Sequence, residues 1–521
     1  MLEAPPQSAT RRNLLDGGYT ITLLTLAVAT GYALLSPSGP GAAVPNRTVG
    51  AVLPLETAPP AVVAPAPTPS QPGPPGPGEI LIARPMPTPP EGRRPRVAPP
   101  PARPWRPSEP PSEVAWPSTT VTGRVVDDEH KPLAGASVVV RGVEVRTDAE
   151  GAFKLEQVPA DAALLVKLPG FEKQWVPPSR GTVEAVLKPQ VIKAAYLTYF
   201  GFGDRGIRNR VLDLAARTEL NAVVIDVKGD RGWIIYPTEV EMALAVGAQG
   251  PATLREFDAM MADLKARGIY TIARIVTFKD NVLANARPDL AIIDTRTGKP
   301  WIDNERLAWV DPFHEEVWDY NIALGKEAVR RGFDEVQYDY VRFPTDGKLG
   351  AARYSRPNTK DTRLPTIAGF LERARRELGA AGAYVGADVF GYTAFNENDT
   401  DIGQRIEELA PHLDFICPMV YPSGYHKGIP GYANPIQVPY KVVFESVRLI
   451  RKRSGGNPVR VRPWLQDFRD YAFDRRIFGV VEVQAQIRAA EESGAAGWML
   501  WNPRNDYTGA ALRTKNALAA R

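Results

Sequence analysis

From about residue 190 to the carboxyl terminus, short apolar runs rich in β-branched residues alternate with amphipathic stretches. The runs cover 194–200, 222–227, 270–278, 335–343, 384–392, 414–421, 459–468 and 497–501. Eight strand-helix units in roughly 330 residues have the size and count of a (β/α)8 TIM barrel, an α/β fold. Stretches such as 253–267 and 481–493, apolar at helical spacing, supply its outer helices.

Residues 119–189 follow a different period. Alternating runs at 121–126, 136–140, 151–155, 163–168 and 182–187, punctuated by Gly, Pro and Asp, predict a small all-β antiparallel sandwich. Trp175 and Phe171 are its available sugar-stacking faces.

Upstream there is no period to bury. Residues 37–118 hold about half of the chain's 51 prolines, so a disordered, semi-rigid polyproline spacer is expected there. Before it, residues 19–36 carry no charge and follow Arg11 and Arg12. That layout is an export signal or an uncleaved signal anchor, with residues 1–18 left in the cytoplasm. The run Thr10-Arg11-Arg12-Asn13-Leu14-Leu15 resembles a twin-arginine signal, although Asp16 fits that poorly. Either route places the two folded domains outside the cytoplasm, in the periplasm or at the cell surface, membrane-anchored or secreted.

A formal net charge of +4 over 521 residues, without basic runs interleaved with aromatics, argues against a nucleic-acid partner. The single cysteine, Cys417, sits in an apolar run and reads as a buried thiol. His130, His314, His412 and His426 show no ligand spacing, so no metal is expected.

In a TIM barrel the carboxyl ends of the strands build the site. Here they carry Asp226 and Lys228, Arg274, Asp339 with Arg342, Asp388, Tyr421, Gln466 with Asp467, and Trp501 with Asn502. Counting by two puts Asp339 on the face of Gln337, Asp388 on that of Gly386 and Tyr421 on that of Met419, taken as the barrel interior. An ionised carboxylate facing that interior must be paired or catalytic. For Asp226, pairing with Lys228 or Arg274 and catalysis both remain open.

The motif Gly332-Phe333-Asp334-Glu335-Val336-Gln337-Tyr338-Asp339-Tyr340-Val341-Arg342-Phe343-Pro344 resembles the fourth strand of a family of bacterial glycoside hydrolase-like barrels, long catalogued only as a domain of unknown function. The likeness continues through Asp226-Val227-Lys228, Val389-Phe390-Gly391-Tyr392, Cys417-Pro418-Met419-Val420-Tyr421-Pro422 and Trp498-Met499-Leu500-Trp501-Asn502, and so spans residues 190–510. The segments Thr122-Gly123-Arg124-Val125-Val126-Asp127, Pro132-Leu133-Ala134-Gly135-Ala136-Ser137-Val138 and Thr147-Asp148-Ala149-Glu150-Gly151-Ala152-Phe153 resemble the carboxypeptidase regulatory-like domain, which implies a stability or adhesion module.

The barrel resemblance implies a glycosidase-like architecture; an oligo- or polysaccharide substrate is then expected, and no cofactor. Chitinase-like barrels are a more distant likeness. They share Met-x-Tyr on strand six, here Met419-Val420-Tyr421, and a Trp ending strand eight, here Trp501. Their catalytic Glu falls at Val341, which cannot donate a proton, so a barrel with an Asp nucleophile ending strand four is the better template. Asp339 is then expected to attack or stabilise the anomeric carbon. A second carboxyl, Asp388 first and Asp467 or Glu397 next, is expected to protonate the leaving oxygen. Arg342 and Arg274 would keep Asp339 ionised. Asp226, Lys228, Tyr392, Tyr421, Gln466 and Trp501 are expected to contact substrate, with Tyr199, Trp233 and Trp464 as further ring faces.

Two other readings compete. Gly201-Phe202-Gly203-Asp204-Arg205-Gly206 fits a dinucleotide fingerprint with Asp226 at the right remove, but eight units close into a barrel and leave no open sheet for a nucleotide cofactor. The second is a non-catalytic barrel that binds polysaccharide, tethered to the membrane.

Overall fold

A computed structural model describes residues 118–177, 181–251, 253–455 and 460–519. Among these, no helix is long and apolar enough to cross a membrane. The expected span at 19–36 and all but the last residue of the linker at 37–118 lie outside them.

The first domain is a sandwich of two sheets. Ser118–Asp127 lies between Ala152–Pro159 and Gly181–Leu187, and the second sheet runs Val143–Arg146, Ser137–Val140, Leu164–Lys167, Gln174–Val176. Val121, Val125, Leu155 and Ala185 face Val138, Val140, Leu164 and Val166 across its core. The expectation of an all-antiparallel sandwich is corrected at one pairing: Ser118–Asp127 and Gly181–Leu187 run parallel. The strands at 143–146 and 174–176 have four and three residues, too short to show a period of two.

The second domain is a closed eight-stranded parallel barrel. Its strands are Ile192–Leu197, Ala222–Lys228, Tyr270–Val276, Glu335–Asp339, Tyr384–Phe390, Phe415–Met419, a seventh in two pieces (Arg460–Val461 and Trp464–Gln466), and Gly497–Trp501. Each pairs with its neighbours in sequence, and strand eight pairs with strand one. Helices such as Arg205–Arg217, Glu315–Arg330, Lys360–Ala380 and Val480–Glu492 cover the outside, each burying residues three and four apart.

The sandwich is fastened to the barrel at the amino-terminal ends of strands four and five. Lys173 donates to the carbonyls of Asp334 and Gly382 at 2.6 and 2.8 Å, Lys167 to that of Ala383 at 2.6 Å, and the Tyr384 hydroxyl to Leu168 O at 2.9 Å. The opposite end, where the strands finish, stays open.

The Gly-rich segment after strand one forms no phosphate cradle. Tyr199–Gly203 is a helical turn, and Asp204 caps the next helix by accepting the Ile207 N–H at 2.8 Å.

Candidate active site

The barrel interior is polar in two layers. At the bottom, Glu335 on strand four and Arg462, between the two pieces of strand seven, form a fully buried ion pair, with the Tyr270 hydroxyl 3.1 Å from Glu335. Cys417 and Gln337 lie buried in the barrel, two residues along from Phe415 and Glu335 respectively. The top layer, at the strand ends, is built on Arg274.

Arg274 is the hub because strand three places it between strands two and four. Its Nη1 donates to Asp226 Oδ1 at 2.5 Å, its Nε to Asp339 Oδ2 at 3.0 Å, and its Nη2 to that same Asp339 oxygen. Burial opposes the guanidinium charge, but the flanking carboxylates outweigh it and raise the Arg274 pKa further. Asp226 Oδ2 accepts from the Tyr196 hydroxyl at 2.5 Å and from the Tyr199 N–H at 3.3 Å. Burial, only partly offset by Arg274, raises the Asp226 pKa. Asp226 therefore pairs with Arg274 and not with Lys228.

Strand four stops at Asp339 because Tyr340 adopts a left-handed backbone, φ 48°, a conformation that costs a bulky residue about 1–2 kcal/mol. The turn lets the Tyr340 N–H reach Asp339 Oδ1 at 2.6 Å and sends the Tyr340 ring towards Lys279, 5.1 Å away. Asp339 is thus held on both oxygens. Arg342, expected as a second cation on Asp339, lies beyond the turn; it stacks on Phe390 and Tyr340 and donates to Phe343 O at 2.9 Å.

Asp388 is 1 % exposed, its Oδ1 accepts the Trp464 indole N–H at 2.7 Å, and its Oδ2 is buried without a hydrogen-bond partner, 3.9 Å from Arg274 Nε. Burial, then the negative charge of Asp339, pushes its pKa well up. Asp388 is not among the residues that line the cleft.

Above these groups opens a cleft with aromatic walls. Trp501 and Tyr196 stack at 4.0 Å, Trp464 meets Trp501 edge-on, and Tyr421, Tyr392, Tyr199 and Trp233 continue the lining. Asp226, Asp230, Glu305 and Asp339 are the carboxyl residues that line it, with Arg231, Arg274 and Arg342.

Several residues expected at the site are elsewhere. Lys228 is fully buried on the outer face of strand two, its ammonium 2.6 Å from Asp280 and over the Tyr320 ring. A bulge causes this: Arg274 aligns with Asp226 and Ile275 with Lys228, so one extra residue reverses the alternation. The Gln466 amide is closed off by Ser423 and the Phe468 carbonyl. Asp467 is clamped by the Thr508 hydroxyl and N–H at 2.6 and 2.8 Å, with burial lifting its pKa to about 6. Glu397 is exposed and outside the cleft. Conversely, Asp230, Glu305 and Tyr340 line the cleft without having been singled out; they lie on loops or a turn, where no periodicity marks them.

Residues 194–507 match the model of a family described as "Putative glycosyl hydrolase domain". The chain belongs to this family. Membership gives the barrel a glycoside hydrolase-like function, consistent with a cleft of aromatic faces over a carboxylate. Residues 120–188 match the carboxypeptidase regulatory-like domain. Among solved structures, the chain is similar to a hypothetical protein from Ruminiclostridium thermocellum, with 35 % identity, 37 % of this chain and 97 % of that one covered, and a TM-score of 0.32. It is also similar to the PgaB (BpsB) glycoside hydrolase domain from Bordetella bronchiseptica, at 16 % identity over 61 % of this chain and 95 % of that one, TM-score 0.44. A chitinase from Chromobacterium violaceum is similar at 12 % identity over 64 % of this chain and 100 % of that one, TM-score 0.39. No curated protein matches the chain.

Proposed function

We propose that the barrel hydrolyses glycosidic bonds of an oligo- or polysaccharide outside the cytoplasm. Asp339 is the nucleophile or charge stabiliser at the anomeric carbon, and a second carboxyl is the general acid. The observation that carries this reading is the setting of Asp339, at the end of strand four, on the cleft floor, gripped by Arg274 and surrounded by the rings of Trp501, Tyr196 and Tyr421. A glycosidic bond breaks through an oxocarbenium-like state, which an ionised carboxylate fixed in a poorly solvated cleft stabilises. Flat apolar faces beside it suit the C–H faces of sugar rings. The uncharged run at 19–36 behind Arg11 and Arg12 supports the extracytoplasmic location.

A second reading is a tethered barrel that binds polysaccharide without cleaving it. One observation favours it: Arg274 bridges Asp226 and Asp339, which alone would explain both buried carboxylates as a structural network. Exposing the full-length protein to a panel of labelled polysaccharides, and scoring both retention and new reducing ends, separates the two. Cleavage supports the enzyme; retention without cleavage supports the binding barrel.

A further inference from the structure

If the cleft is a glycosidase site, a proton donor must reach the leaving oxygen from its lining, and Asp388 is not among the lining residues. We propose that Glu305, on the excursion between strand three and the helix Glu315–Arg330, is the general acid of this cleft. The inference rests on the reading of the cleft given above and names the carboxyl that reading leaves open.

Four carboxyl residues line the cleft. Asp226 is committed on both oxygens to Arg274, Tyr196 and Tyr199, and Asp339 to Arg274 and Tyr340. Asp230 is only half-buried, and Glu305 is different from all three. Its Oε2 takes the Lys279 ammonium at 2.5 Å, while its Oε1 has no hydrogen-bond partner and is shielded from bulk water. The side chain as a whole is 19 % exposed and borders the cleft.

Charge balance points to the same residue. Lys279 is fully buried between two carboxyls, Asp303 at 2.9 Å and Glu305. Arg342 also acts on Asp303, and Asp346 adds a third carboxyl, so two cations face three carboxyls and one of these is stable in that setting when it holds a proton. Asp303 is saturated: it accepts the N–H groups of Glu305 and Leu307 and the indole N–H of Trp309, all at 2.9–3.0 Å. Asp303 has no oxygen left for a proton, whereas Glu305 Oε1 is without a partner and can carry one. Burial raises the Glu305 pKa against the pull of Lys279, and Asp230 and Asp303 add to the rise. The loop is also rigid, because Asn304 N–H donates to Asp346 at 2.9 Å and Glu305 N–H to Asp303 at 2.9 Å.

In the step itself, the Glu305 proton passes to the glycosidic oxygen as the bond from C1 to that oxygen breaks and its electron pair moves to the oxygen. The leaving sugar departs as an alcohol. Asp339 meets the positive charge at C1, and Glu305 is left as a carboxylate beside Lys279, which lowers the cost of that ionised form. Water then adds to C1 and its proton restores Glu305.

The test uses the full-length protein and the oligosaccharide it cleaves best, carried on two aglycones: methanol, which needs acid help to leave, and 2,4-dinitrophenol, which does not. Glu305→Gln is expected to lose ~10²–10⁴-fold in kcat/KM on the first and less than ~10-fold on the second, and to lose the alkaline limb of the pH profile. Asp339→Asn is expected to fail on both. An equal effect of Glu305→Gln on the two aglycones, with native circular dichroism, overturns the assignment, as does the aglycone-dependent loss appearing in Asp230→Asn instead. If the wild-type protein cleaves no member of the panel, the glycosidase reading fails and this assignment falls with it.

Discussion

The indole N–H of Trp464 donates to Asp388 Oδ1 at 2.7 Å and leaves Oδ2, on the same carboxyl, buried without a partner. Burial and the neighbouring charge of Asp339 both favour the protonated form of Asp388.

An amide has the same shape and keeps both an acceptor for Trp464 and a donor on the other side. Asp388→Asn should therefore keep kcat/KM within ~10-fold of wild type, whereas transfer of the Asp388 proton to substrate would make that variant lose ~10²–10⁴-fold. Asp388→Leu, which leaves the Trp464 N–H unpaired in the interior, should cost about 1–3 kcal/mol of stability, measured by urea unfolding.

Lys228 separates stability from activity. Its ammonium and Asp280 are both buried, 2.6 Å apart, and Asp280 also caps the helix Asn281–Ala286. Lys228→Met should destabilise the barrel by about 3–5 kcal/mol, seen as an earlier denaturation midpoint. Below that midpoint its KM should equal that of the wild type, because the side chain faces away from the cleft.

The junction between sandwich and barrel should tighten as pH rises. Burial, opposed in part by Asp414 and by Asp334 respectively, lowers the pKa of Lys167 to about 7 and that of Lys173 to about 8, from an ordinary 10.5. Above these folded-state values the native protein has released protons that the unfolded chain still binds, up to about pH 10.5. Stability therefore climbs with pH from about 7 upward, and the contribution is flat below that. Unfolding free energy measured from pH 6 to pH 9 should show the rise, and the double variant Lys167→Met, Lys173→Met should flatten it.

The eight barrel strands were legible because a closed parallel sheet buries both faces and its strands read as apolar runs. Their ends were less so. Strand four was expected to reach Phe343 but stops at Asp339, where Tyr340 takes a positive φ that no local pattern announces. The bulge beside Val227 turned Lys228 outward for the same kind of reason: alternation holds only while the register does. Asp226, Arg274 and Asp339 could be grouped from strand ends alone, since neighbouring strands bring them into one layer. Glu305 could not, because it enters the cleft on a long excursion whose path depends on Asp303, Lys279 and Asp346 meeting in three dimensions.

The most direct measurement of the central claim is turnover and binding by Asp339→Asn on the polysaccharide that the full-length protein cleaves. The amide keeps a hydrogen-bond acceptor near Arg274 but removes the charge that the anomeric carbon needs. Cleavage should fall by at least ~10³-fold, while the Kd for the polysaccharide stays within ~10-fold of wild type. Cleavage at the wild-type rate in that variant would contradict the account.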